Sequence, residues 1–386
     1  GFGIIIPVLP NLLAEMNNID VNEASTYGGY LLTAFAIAQF LFSPIMGSLS
    51  DQYGRRPILL LSLLGFSIDY LILAFAPDFW WLIMGRIIAG IFGASFTVAS
   101  AYISDISTEE NRAKNFGMLG AAFGLGFIIG PFLGGVFGEL GFRVPFYVAA
   151  ALAFANFLYG YFILPESLST ENRRKFNWKR ANPIGAFRQI FSYKAIGYLL
   201  FAFFLFNLAT HAVNSNWAYF TIYRFEWSEG MVGLSLAFAG ILISVVQAGL
   251  AQKISDFLGV DKTIYYGLAL YALALGLFAF ANASWMMFAI LVVYGLGGAS
   301  DPVLKSYLAG QVPANEQGEL QGGLTAIQSL TTIFGPLMMT GIFFFTTQEE
   351  TPFYFPGSAF MLGAVLMTIS FIIAYAMLSR QGDAKR

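Results

Sequence analysis

Four charged side chains lie inside stretches otherwise fit for lipid: Asp69, Arg86, Asp301 and Lys305. A charge in mid-bilayer costs several kcal/mol unless it is paired or hydrated, so each of the four is a functional candidate. Asp69 precedes Pro77 by eight residues and Arg86 follows Asp78 by eight. At about 1.5 Å of rise per residue, both lie roughly 12 Å from that turn, on adjacent antiparallel helices. An acid and a base at one level can simply hold two helices together. They can also exchange partners when the acid takes a proton, which is the chemistry of proton coupling. Asp301 and Lys305 are spaced i,i+4 with the acid first, the orientation that favours a helical ion pair. That pair either neutralises itself, or Asp301 carries a proton with Lys305 as its modulator or as an anion contact. Pro302 beside them removes a backbone hydrogen bond and is expected to bend its helix.

A second group could contact a ligand. Asn207, His211 and Asn214 recur at i, i+4 and i+7 on one helix face, with Thr210 beside them. Such a stripe either lines a substrate path or glues helices by hydrogen bonds. His211, the single histidine, is the one side chain that ordinarily titrates near neutral pH. Gln39, Gln247 and Gln328 would add neutral contacts, and Phe35, Phe123, Trp217 and Tyr294 aromatic walls. The chain has no Cys, which excludes a thiol nucleophile, a disulfide framework and a thiolate metal site; a single His excludes a metal centre built mainly of imidazoles. No Ser/His/Asp constellation, His-Glu-x-x-His motif or phosphate loop occurs at suitable depth. An enzyme is therefore not expected, nor is a metal or bound cofactor.

The elements that must position these residues are helices in a membrane. Of 386 residues, 57% are hydrophobic, 17% aromatic and only 11% charged, and the mean hydropathy is +0.68. A globular domain carries roughly 25% charged residues. The net charge of −2 argues against nucleic acid as a partner. Spans are predicted near 1 to 16, 27 to 49, 57 to 76, 79 to 104, 114 to 138 and 145 to 164, then near 195 to 222, 230 to 254, 263 to 282, 284 to 311, 319 to 346 and 354 to 379. Between the two sets, residues 165 to 193 carry Arg173, Arg174, Lys175, Lys179, Arg180 and Arg188 and read as a cytoplasmic linker. With both termini inside, every Lys and Arg is cytoplasmic except Arg143 and Arg224 outside and Arg86 and Lys305 within spans, the asymmetry expected of an inner, cytoplasmic membrane protein. The opening at Gly1 is apolar without a charged leader, which reads as a first helix lacking its start and not as a signal peptide.

Sliding the chain by 205 residues superposes Asp51 on Asp256, Gly54 on Gly259, Gly93 on Gly298, Tyr102 on Tyr307, Gly117 on Gly322 and Gly130-Pro131 on Gly335-Pro336. A Gly-Pro pair and an Asp-x-x-Gly loop repeated at one offset imply duplication. The expected architecture is an all-α membrane protein of twelve transmembrane helices in two pseudo-symmetric halves, 1 to 164 and 194 to 386, with a substrate site between them near the midplane. The loop Gly47-Ser-Leu-Ser-Asp51-Gln-Tyr-Gly54-Arg55-Arg56 supplies an acid that could cap a helix of the second half. With Arg112 and the echo at Asp256 it reads as a cytoplasmic latch. Gly126, Gly130, Gly134 and Gly138 repeat every four residues, a smooth stripe along which a partner helix can approach, with Pro131 inside it.

These motifs carry a resemblance that covers essentially the whole chain. Gly47 to Arg56 resembles the signature loop between the second and third helices of the major facilitator superfamily, with Asp256 to Lys262 as its weaker copy. Gly117-x8-Gly126-x3-Gly130-Pro131-x2-Gly134-Gly135 resembles the antiporter motif of its drug/proton exporters, and Gly3 with Pro7-Val-Leu-Pro10 their first-helix motif. Leu59 to Gly65, Ser67 to Tyr70, Phe123 to Gly126 and Met231 to Leu236 look most like the tetracycline/proton antiporters. The sequence departs from those in the ninth span, where their acid meets Ala272, and in the eighth, where their histidine meets Ile243. The resemblance implies proton-coupled efflux of an amphipathic small molecule by alternating access, without a cofactor, in a protein that works as a monomer; the acid matching Asp69 and the arginine matching Arg86 are associated with transport in that family. An importer or symporter of a metabolite or organic anion on the same scaffold, or a non-transporting membrane receptor, remain the alternatives.

Overall fold

The computed structural model describes residues 2–108, 110–176, 196–313 and 317–384. The described residues are helical, with no strand among them. They form α1 (Phe2–Ile5), α2 (Leu9–Asn17), α3 (Val21–Tyr53), α4 (Arg55–Phe75), α5 (Phe79–Gly93), α6 (Ser95–Asp105), α7 (Arg112–Gly138) and α8 (Val144–Ile163). After the linker come α9 (Gly197–Asn214), α10 (Trp217–Phe225), α11 (Glu229–Val245), α12 (Ala251–Leu258), α13 (Val260–Ala279), α14 (Ser284–Gly297), α15 (Ser300–Gly310), α16 (Gln317–Phe345) and α17 (Ser358–Ala384). Eleven helices among the described residues are long and apolar enough to span a bilayer. The twelfth expected span, 1 to 16, is α1 and α2. Pro7 lies in the turn between them and Pro10 in the first turn of α2, where a missing N–H leaves nothing unsatisfied.

The repeat extends to the joints. α3 meets α4 at Gly54, φ +103° and ψ 160°, and α12 meets α13 at Gly259, φ +87° and ψ 155°, both in backbone that side chains rarely adopt. The fourth span breaks between Gly93 and Ser95 and the tenth between Gly297 and Ser300, and the helices resume 205 residues apart, at Ser95 and Ser300. Pro302 does not make the second break. It sits in the first turn of α15, downstream of the joint, where its ring is compatible with the helix.

The chain divides into two compact units. The first comprises Gly1–Ile19, Tyr30–Ile184 and Ser228–Leu234, and the second Asp20–Gly29, Gly185–Trp227 and Ser235–Arg386. In the first, α4 packs on α5 and α8, and α1 on α7. The Ser67 hydroxyl ties α4 to the Ala150 carbonyl of α8 at 3.0 Å. In the second, α13 and α9 pack on α17. Its core is aromatic: the Trp217 ring meets Phe278 edge-on at 5.1 Å, and Phe220 meets Phe360 at 4.9 Å.

Candidate functional site

Asp78 caps α5 by accepting from the Trp80 and Trp81 amides at 2.9 and 3.3 Å, which fixes where the helix starts. Two turns on, Arg86 points at α4. Gly85 lets the helices come close enough, because a methyl there would lie 2.9 Å from Asp69 Oδ1 and from Leu73. The Arg86 guanidinium then donates to Asp69 Oδ2 at 2.7 Å, with Asp69 wholly buried and Arg86 5% exposed. Among the described residues, Asp69 Oδ1 and Arg86 Nε have no hydrogen-bond partner. The pair is held with one carboxylate oxygen and one guanidinium nitrogen left over.

Arg86 forms part of the wall of a cavity of about 1190 Å³ within the first unit. One stripe of each surrounding helix faces it. α4 gives Leu59, Ser62, Leu63, Phe66 and Tyr70; α7 gives Phe123, Gly126, Ile129, Gly130 and Leu133. α8 contributes Ala149, Leu152, Ala153, Asn156 and Tyr159, the i, i+3, i+4, i+7 rhythm of one helical face. Of the predicted ligand contacts, Gln39 and Phe35 join Phe123 in this wall. Gln39 donates its amide to the Gly93 carbonyl at 3.2 Å, bridging α3 to the break in the fourth span.

The second-unit candidates are dispersed. Asp301 accepts from Lys305 Nζ at 3.0 Å, its other oxygen has no partner among the described residues, and the ammonium lies 5.8 Å from the Phe203 ring centre. Asn207 donates to the Phe203 carbonyl one turn back, Asn214 is exposed, and His211 is buried against Gly335. Trp217 is 1% exposed and donates from Nε1 to Ser235 Oγ at 2.9 Å, and Tyr294 stacks edge-on against Tyr271 at 4.7 Å. Both rings serve the core where sequence reading had offered them as ligand walls: burial between helices gives them protein neighbours on every side. Gln247 is exposed in a π-helical turn, Val246–Leu250, and the Gln328 carbonyl accepts from Thr331 and Thr332.

The latch residues form a network inside the first unit. Arg55, 8% exposed, donates to Ser50 Oγ at 2.6 Å, to Asp51 Oδ1 at 2.5 Å and to Asp105 Oδ2 at 3.2 Å. Asp51 thus answers the arginine one turn away. Arg56 donates to the carbonyls of Leu164 and Tyr161 at 2.7 and 2.6 Å. Glu166, which sequence reading passed over, caps α4 by accepting from the Arg55 and Arg56 amides at 2.8 and 3.2 Å. The linker residues Arg174 and Phe176 donate their amides to the Asp51 carbonyl and to Gln52. The Gly47 carbonyl accepts from Ser50, and Asp256 accepts from Gln252 on its own helix. The side chain of Arg112 lies outside the described residues, as does the linker beyond Phe176.

In the antiporter motif, a methyl at Gly130 would lie 3.2 Å from Gly3, and Gly134 faces Ile4 and Gly138 faces Val8, so the stripe seats the broken first helix. A methyl at Gly135 would lie 3.1 Å from Gly230 and from Gly233. Gly117 is in open space, Gly126 borders the cavity, and Pro131 packs on Gly3.

The sequence model of the Major Facilitator Superfamily matches residues 1–256 and 217–386. The class C tetracycline resistance protein of Escherichia coli is 41% identical over 96% of this chain and 91% of its own length. Multidrug resistance protein 2 of Bacillus subtilis (strain 168) is 32% identical over 96% and 91%. A solved human organic anion transporter superposes with a TM-score of 0.71 at 22% identity over 97% of this chain and 95% of that one. A D-xylose–proton symporter does so at 0.75 and 16% over 97% and 93%. These two share the fold. Full-length sequence similarity, the duplicated six-span plan and the buried Asp69–Arg86 ion pair lead to one assignment: the chain belongs to the major facilitator superfamily and is an integral membrane transporter, not an enzyme.

Proposed function

We infer that the chain exports an amphipathic, tetracycline-like molecule in exchange for protons, by alternating access of the halves 1 to 164 and 194 to 386 about the linker 165 to 193. The observation that carries this is the buried Asp69–Arg86 pair in contact with a large, mostly apolar cavity, in a chain 41% identical to a tetracycline resistance protein. Protonating Asp69 removes the negative charge and frees the guanidinium, so the pair has two arrangements that a proton selects. Asp301 and Lys305 provide a second such pair on the tenth span. Arg55, Arg56, Asp51 and the segment from Gly47 to Gly54, which is the helical end of α3 up to the Gly54 joint where a loop was expected, would work as the cytoplasmic latch, with Arg112 and Asp256. Gln39 is the contact favoured for the substrate, with Asn207, His211, Asn214, Gln247 and Gln328 as second-half candidates. Both termini would be cytoplasmic, the monomer sufficient, and the proton gradient the energy source with no cofactor. Inverted vesicles containing the protein should accumulate tetracycline when their lumen is acidified. Accumulation equal to that of protein-free vesicles overturns the reading.

A further inference from the structure

The cavity of the first unit holds one carboxamide that nothing in the protein occupies. α8 runs Val-Pro-Phe-Tyr-Val-Ala-Ala-Ala-Leu-Ala-Phe-Ala-Asn156-Phe-Leu-Tyr-Gly-Tyr-Phe-Ile, and Asn156 is its single carboxamide in a helix with no charged residue. A polar group facing lipid costs several kcal/mol, because hydrocarbon offers it no partner. Asn156 instead lies on the stripe that borders the cavity and is exposed there. Three other polar groups of that wall are engaged: Gln39 with the Gly93 carbonyl, Ser62 with Ile58, Arg86 with Asp69. Asn156 makes no hydrogen bond among the described residues. It therefore presents an acceptor and two donors to whatever enters.

We propose that Asn156 is a specificity-determining residue of the transporter, hydrogen-bonding a planar amphipath that carries a carbonyl next to a hydroxyl or amide. A carboxamide offers its oxygen and its NH2 side by side, which matches a vicinal donor and acceptor on a flat ligand as it matches a base edge. The aromatic rings of Phe66, Phe123 and Tyr159, which line the same cavity, supply apolar faces for such a ring system. The proposal rests on drug export by this chain and adds the chemistry that selects the drug.

The test compares tetracycline transport by wild type, Asn156→Gln and Asn156→Leu in proteoliposomes at a fixed pH gradient. Loss of a neutral hydrogen bond predicts a KM raised roughly three- to tenfold in Asn156→Leu with kcat within about twofold, and a smaller rise in Asn156→Gln. Because the chain has no Cys, Asn156→Cys provides a sole thiol. Its labelling by a membrane-impermeant maleimide should be rapid and slowed by tetracycline. Wild-type transport with an unchanged KM in Asn156→Leu, or labelling that tetracycline does not slow, overturns the proposal alone. Absence of tetracycline transport by wild type overturns the export reading together with it.

Discussion

Arg86 donates to Asp69 Oδ2 at 2.7 Å while Asp69 Oδ1 and Arg86 Nε have no partner among the described residues, so the most deeply buried ion pair of the first unit is incompletely satisfied. Such a pair is held by mutual need. Removing one member strands the other, at a cost of about 3–5 kcal/mol. Asp69→Asn and Arg86→Gln should each lower the unfolding temperature in detergent, and the double variant should recover most of that loss. Additive losses in the double variant would show that the two side chains act independently.

Gly54 and Gly259 carry the same local conformation in different surroundings. A side chain at either meets unfavourable backbone geometry, costing about 1–3 kcal/mol. At Gly54 it also meets the Glu166 carboxylate, whereas at Gly259 there is open space. Gly54→Ala should therefore be the more destabilising in thermal unfolding, and Glu166→Ala in that background should narrow the gap. Equal effects would contradict the role given to Glu166.

A methyl at Gly335 would lie 2.5 Å from the His211 ring and 2.9 Å from its Cβ. Gly335→Ala should cost about 1–3 kcal/mol by overpacking. Adding His211→Ala should relieve it, measured as a positive coupling in a double-mutant cycle. Absence of coupling would mean that the ring is not what requires the glycine.

Much of the fold was legible in the sequence because a membrane leaves few options: backbone groups must be satisfied within helices. The 205-residue offset holds in the glycine joints and in the breaks of the fourth and tenth spans. The depth count from Pro77 and Asp78 put Asp69 and Arg86 level, and they are 2.7 Å apart. What escaped depends on which neighbour a side chain meets. Glu166 reads as one more surface acid until the α4 amides are found against it, and Asn156 as a stray polar residue until its helix face is known. Trp217 has the composition of a ligand wall and the position of a core residue.

Lowering external pH at constant internal pH supplies protons to the acid that must take one, so export should quicken. In Asp69→Asn the side chain has no titrating proton, and the rate should become insensitive to external pH. A pH response equal to that of wild type would move the coupling to Asp301.

The central claim is that substrate and protons move through one machine in opposite directions. In proteoliposomes loaded with a pH-sensitive dye, tetracycline moving one way should evoke proton movement the other way. Wild type should give a saturable signal, Asp69→Asn should give none, and Asp301→Asn should show whether the second pair shares the proton. Tetracycline movement without any proton signal in wild type would contradict the account.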